Sequence, residues 1–125
     1  MRLIDDFFIL ESLRDTDNGF EAELRTNPSH IIYKAHFPGN PITPGVCVIQ
    51  TAGELLERKM NRKVYLKTVK NVKFLSVIIP DDGKKIRYSF SNISEVEDGC
   101  KTQIVVCDND TVYAKISLIF NYEQS

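Results

Sequence analysis

The sequence predicts an α+β fold in which an antiparallel β-sheet and one long helix bury each other. Three observations carry this expectation. A single long helical run follows a proline-rich loop. The stretches on either side alternate apolar and polar residues with a period of two, and clusters of Asp, Asn and Gly separate them. Four or more strands and one apolar helix leave few ways to hide both. The sheet must curl around the helix, or the helix must pack on one face of it. A length of 125 residues fits a single domain spanning 1–125, large enough to hold a core without cross-links.

The elements follow in chain order. Residues 7–14 (FFILESLR) and 19–26 (GFEAELRT) flank the turn "DTDNG" and predict a first hairpin. Residues 27–45 contain four of the five prolines and form a loop. Thr43 is placed to cap a helix, with Pro44 at its first position. That helix runs from Pro44 to about Met60. Val46, Val48, Ile49, Ala52, Leu55 and Leu56 spread over more than one stripe, so its first turns are buried nearly all round. Arg58 and Lys59 at its end suit the helix dipole. Residues 64–79 then predict one long strand stopped by "PDDG". Residues 84–92, 101–107 and 112–121 predict three more. On the last, Val112, Ala114, Ile116, Leu118 and Phe120 share an inward face, and Tyr113, Lys115 and Ser117 point the other way.

Composition excludes several classes. A net charge of −1 offers no bulk attraction for nucleic acid. No apolar stretch approaches the ~20 residues of a membrane span. The start, "MRLIDDFFILES", has one Arg and two Asp around its apolar patch, wrong for a signal peptide. Cys47, Cys100 and Cys107 make an odd count without metal-ligand spacing. They read as free thiols in a reducing cytoplasm. Neither a metal nor a cofactor is expected.

Residues 36–46 read "HFPGNPITPGV", and they fix the chain tightly around one histidine. The stretch is similar to the signature of the 3-hydroxyacyl-acyl-carrier-protein dehydratases, in which a His-Phe-Pro-Gly loop leads through Pro-x-x-Pro-Gly-Val into a central helix. "KNVKFLSVIIPDD" also resembles that family's long strand and following turn. The element order matches from about Phe7 to Phe120. The resemblance implies a hotdog fold, a curved antiparallel sheet wrapped around one long helix. It further implies a homodimer, or a higher oligomer built from dimers, with active sites at the subunit interface and an acyl-carrier-protein partner.

Dehydration removes a proton from C2 and hydroxide from C3 of a 3-hydroxyacyl thioester. The C2 proton is weakly acidic, so the base needs a polarised thioester carbonyl. His36 is the natural base near neutral pH. Gly45 N–H, at the helix start, is placed to stabilise the developing enolate oxygen. Phe37, Gly39, Pro44, Gly45 and Val46 are the expected substrate-binding residues, and prolines restrain the loop because a shift of ~1 Å can cost ~100-fold. His30 reads as an ordinary loop residue. Phe7, Phe8 and Tyr33 are candidates for lining an acyl tunnel, with plain core as the commoner role.

The chain departs from the family where an acid is usual. Fourteen residues after His36 stands Gln50, and an amide cannot deliver a proton as an acid. Glu54 follows one turn later on the same helix face. Three readings stay open. Glu54 serves as the acid; or Gln50 only orients substrate; or the chain has lost dehydration and binds or hydrolyses acyl thioesters. A hotdog thioesterase and a non-catalytic acyl or carrier-protein binding module are therefore the rivals. Residues 58–73 carry seven Lys or Arg and no acid, either a solvated face or a landing patch for an acidic carrier protein.

Overall fold

The computed structural model describes residues 2–35, 39–81 and 83–124. Its elements are β1 (Phe8–Thr16), β2 (Gly19–Thr26), α1 (Ile31–Ala35), α2 (Gly45–Met60), β3 (Val64–Phe74), β4 (Lys85–Val96), β5 (Gly99–Cys107) and β6 (Val112–Tyr122). The six strands form one antiparallel sheet in the order β1-β2-β4-β5-β6-β3. β1 and β3 are its two edges. β3 comes before β4 in the chain, yet it crosses over to pair with β6. This is the hotdog arrangement, with α2 as the central helix.

The alternation read from the sequence is what buries the sheet's inner face. Phe20, Ala22 and Leu24 on β2 and Ile86, Tyr88 and Phe90 on β4 are almost fully buried. Phe20 and Phe90 are directly paired across the strands, and their rings stack with centroids 4.2 Å apart. On β6 the inward set Ala114, Ile116, Leu118 and Phe120 is buried as expected, but Val112 is exposed. Tyr113, read as outward, is buried on the opposite face.

α2 lies against this face. Cys47, Val48, Thr51, Ala52, Leu55 and Leu56 are buried. The Tyr88 hydroxyl donates to the Val48 carbonyl at 2.9 Å, tying β4 to the helix. A Cβ on Gly53 would come within 3.3 Å of the Phe120 ring, so glycine there lets α2 approach β6 closely. Asn61 ends the helix in the left-handed conformation, φ 51°, and returns its N–H to the Glu57 carbonyl.

Three local expectations need correction. Pro44, not Thr43, is the cap residue, with φ −63° and ψ 140°, and it makes no side-chain capping hydrogen bond. Thr43 is instead buried, its N–H on the Ile78 carbonyl and its hydroxyl sharing a 2.9 Å hydrogen bond with Tyr33. β3 stops at Phe74 rather than continuing to residue 79. Leu75 and Ser76 both donate to the one Tyr113 carbonyl, which breaks the ladder. The loop before α2 also contains the short helix α1, too brief to leave a periodic signal.

Phe7 and Phe8 are fully buried and Phe7 stacks on Tyr33, so these rings are core. His30 lies in the loop before α1, as read, and is buried there. Its Nδ1 accepts from Ile32 N–H and its Nε2 faces Asp6 Oδ2 at 3.1 Å. All three cysteines are buried and unpaired with one another. Among the described residues, no helix is long and apolar enough to cross a membrane.

Candidate active site

Two cavities flank the first half of α2. One, of about 360 Å³, lies between α2 and the beginning of β3. Its walls include Val46, Gln50, Glu54, Tyr65 and Arg2. The other, of about 430 Å³, lies at the N-terminus of α2 beside the end of β3. Pro44, Gly45, Phe74, Ile78 and Tyr113 line it. The edge strand β3 therefore borders both. Sequence reasoning placed Gly45 and Gln50 in one site, but within one chain they face different cavities.

Gln50 is exposed and Glu54 is buried, one turn apart on the same helix. The Gln50 amide nitrogen donates to Glu54 Oε2 at 3.0 Å. Glu54 is held in turn from the far side. Leu3 N–H points between its two oxygens at 3.0 and 2.9 Å, and Ile4 N–H reaches Oε1 at 3.0 Å. Every one of these contacts uses the carboxyl as an acceptor. Glu57 repeats the device one turn on, accepting from Arg2 Nη1 at 2.7 Å and from Val64 N–H at 2.9 Å. These two glutamates staple the segment before β1, and the first residue of β3, onto α2. Within the chain, Glu54 is thus held by backbone N–H groups and the Gln50 amide. It fixes the amide of Gln50, presenting its nitrogen to the carboxyl and turning its oxygen away.

At the helix start, Cys47 and Val48 N–H both turn to the Pro44 carbonyl, at 3.0 and 3.3 Å. Gly45 and Val46 N–H are the first-turn donors without such a bond among the described residues. Val46 is 72% exposed. The Phe74 ring rests on Gly45, where a Cβ would stand 2.7 Å from it. Glycine here admits an aromatic ring. Gly39 adopts φ +81° in an exposed turn, a conformation open to glycine at little cost. His36 and Phe37 lie outside the described residues.

Burial shapes the acid–base character nearby. The Tyr33 hydroxyl is pushed up to about 12, by desolvation first, with the Thr43 hydrogen bond opposing it. Burial likewise raises the Cys47 thiol, so this cysteine at the helix start is no ready nucleophile.

Sequence reasoning missed Phe74, Tyr113 and the Leu3–Ile4 segment. Phe74 sits within an apolar run that reads as ordinary strand, and Tyr113 on the face read as outward. The partners of Glu54 are backbone N–H groups, which every residue but proline owns and no residue letter marks.

Comparison with known proteins places this geometry. The sequence profile of the ApeI-like family, described as ApeI dehydratase, matches residues 12–113. The chain is 34% identical over 129 aligned positions to the 3-hydroxyacyl-[acyl-carrier-protein] dehydratase FabZ of Brucella ovis, covering 90% of this chain and 80% of that protein. Among solved structures it is similar to the dehydratase heterocomplex ApeI:P from Xenorhabdus doucetiae, with a TM-score of 0.72 at 16% identity, covering 91% of this chain and 97% of that one. It is also similar to a hypothetical thioesterase from Streptococcus pneumoniae solved with coenzyme A, with a TM-score of 0.64 at 8% identity over 98% and 93% of the two chains. At such identities these two structures speak for the fold.

Proposed function

Because the chain belongs to the ApeI-like dehydratase family, we propose that it eliminates water from 3-hydroxyacyl thioesters borne on an acyl carrier protein, with His36 as the base. It is a hydro-lyase of the 3-hydroxyacyl-ACP dehydratase type, working in fatty acid or specialised lipid synthesis. The cytoplasm is the proposed compartment, and the three thiols unpaired with one another fit a reducing one.

The roles follow from the groups at hand. Gly45 and Val46 N–H, at the positive end of α2, polarise the thioester carbonyl and hold the enolate oxygen as His36 takes the C2 proton. Phe37, outside the described residues, and Gly39 are the proposed substrate contacts of the loop before α2. Gln50 orients the departing 3-hydroxyl by hydrogen bonding, and His36, acting with water, passes on to that oxygen the proton it takes from C2, so that hydroxide leaves as water. Glu54 is a positioning residue that fixes the Gln50 amide. The observation that carries this assignment is the Gln50–Glu54 pair itself, anchored by two backbone N–H groups and lining the groove.

The working unit is two chains. The helix-start donors and Gln50 line separate cavities in one chain, and β3 borders both. A second chain laid along β3 roofs the two cavities and joins the helix start of one subunit to the helix middle of the other. The related structure from Xenorhabdus doucetiae, itself a heterocomplex, supports an assembly of this kind.

The test supplies 3-hydroxyacyl and trans-2-enoyl thioesters on a carrier protein and follows loss or gain of water by mass spectrometry. His36→Ala is expected to lower turnover by about 100- to 10,000-fold, the usual weight of a general base. Undiminished turnover in that variant removes His36 from the mechanism. Release of free thiol without loss of water would instead favour thioester hydrolysis.

A further inference from the structure

We propose that the outer face of the sheet binds a phosphate group where β3, β6 and β5 run side by side, and that the bound group clamps the end of β3 to β6. The inner residues of these strands are committed to the core. Val72 packs against it, and Ile116, Leu118, Thr102, Ile104 and Val106 are buried. Their neighbours in sequence therefore point outward. The register sets two rows of them across the three strands. Asn71, Ser117 and Gln103 form one row, and Lys73, Lys115 and Val105 the next. A cavity of about 220 Å³ opens there, with Asn71, Gln103, Val105, Lys115 and Ser117 in its walls.

These strands are charged in one sense only. β3, β5 and β6 carry Lys67, Lys70, Lys73, Lys101 and Lys115 and not one Asp or Glu, in a chain whose net charge is −1. The outer-face carboxylates Glu21 and Glu23 lie on β2, and β4 stands between β2 and β5. Lys73 and Lys115 are direct cross-strand partners, yet among the described residues neither makes an ion pair. Like charges directly opposite repel at Cβ separations of about 4.5–5.5 Å. An anion held between the two ammonium groups removes that cost.

The neutral groups beside them favour an anion too. Asn92 Nδ2 donates to Gln103 Oε1 at 2.5 Å, which occupies the amide oxygen and leaves the Gln103 nitrogen to donate. The Ser117 hydroxyl and the Asn71 amide make no side-chain hydrogen bond among the described residues. Two ammonium groups flanked by these donors suit the several oxygens and near-double charge of a phosphate better than the two oxygens and single charge of a carboxylate. A water takes about 30 Å³ of liquid, so the cavity fits free phosphate or a small phosphorylated molecule rather than a polymer.

Occupation of this site reaches the inner face. The pair that follows Lys73 and Lys115 along the ladder is Phe74 and Ala114, and both line the cavity at the start of α2. β3 ends at that point, where Leu75 and Ser76 share the Tyr113 carbonyl. An anion gripped by both lysines fixes the end of β3 directly behind that cavity. Gln50 and Glu54 lie on α2, on the other side of the sheet, so this site is separate from theirs.

The test titrates the whole chain with inorganic phosphate, against chloride at matched ionic strength, and reads thermal unfolding and backbone amide NMR. The natural chain is expected to gain stability saturably, with amide shifts centred on residues 71–73, 103–105 and 115–117. Lys73→Gln and Lys115→Gln, both at exposed positions, should each weaken phosphate binding about tenfold, the weight of one hydrogen bond to a charged group. Amide-exchange protection at Leu75 and Ser76 should rise as phosphate saturates. A parallel titration with glycerol phosphate separates the two sources. Tighter binding than inorganic phosphate sustains the site and makes its ligand a phosphorylated small molecule; weaker binding sustains it with the free ion as ligand. No saturable effect beyond that of matched chloride overturns the proposal. So does phosphate binding that both lysine variants keep in full, which would put the anion elsewhere. Binding that leaves Leu75 and Ser76 unchanged overturns the clamp.

Discussion

Glu54 shows how one side chain can organise a site without touching substrate. Its oxygens take backbone N–H groups from Leu3 and Ile4 on one side and the Gln50 amide on the other. Glu54→Ala strands two buried donors, and denaturant unfolding should register a loss of about 1–3 kcal/mol. Glu54→Gln keeps one acceptor and should cost less. It should still lower kcat more than it raises KM, because the amide of Gln50 loses its fixed orientation; a change in KM alone would make Glu54 purely structural. Gly99 is another residue with little freedom. A Cβ there would stand 1.8 Å from the Phe120 carbonyl oxygen, a backbone atom that cannot swing aside. Gly99→Ala should cost at least about 3 kcal/mol in thermal or chemical unfolding. Neither role was legible in the letters. Glu54 stood out only because it followed Gln50 by four, and nothing in the sequence singled out Gly99.

At the scale of elements, the sequence was a better guide. A helix expected from Pro44 to Met60 is found over Gly45–Met60, because Pro44 presets the entry and the apolar spacing leaves no other face to bury. The strands came from alternation, which survives whatever the partner strand is. Their ends did not, because the end of β3 depends on one remote carbonyl, that of Tyr113. Two turns also carry titrating groups. Across the β1–β2 pair, Arg14 holds the Glu21 carboxyl below its ordinary range, chiefly through its hydrogen bond. In the β5–β6 turn, the Tyr113 hydroxyl and then the N–H groups of Asp110 and Thr111 do the same for Asp108. A carboxylate depressed in the fold adds stability above its unfolded value, and that contribution disappears as pH falls through its folded value. Acidification should therefore loosen these two turns, read as lower amide-exchange protection factors at residues 14–21 and 108–113, relative to the intrinsic rate at each pH. Unchanged protection there on acidification would mean the pairs contribute nothing.

The molecule as a whole is a sheet closed over one helix on its inner side and left open along β3. The hotdog reading was available because an eleven-residue loop and the element order agreed. The division of the expected site between two cavities was not, because it depends on how α2 and β3 lie together. Alkaline behaviour belongs to this scale, since burial raises Tyr33, to about 12, and also Tyr88, Tyr113 and Tyr122. A raised tyrosine contributes stability fully below its unfolded value near 10, and the contribution is lost as pH rises through the folded one. Phenolate absorbance should therefore rise together with unfolding above about pH 10, in one transition. A gradual rise with the fold intact would contradict it. The three buried thiols give a quite separate handle on the same molecule. Cys47 lies in the first turn of the helix, Cys100 near the start of β5 and Cys107 at its end. A thiol reagent can reach each only when its own neighbourhood opens, so three labelling rates on unmodified protein time three separate openings. Equal rates would report a molecule that opens all at once; a faster Cys47 would mark the helix start, beside the cavity, as the part that breathes first.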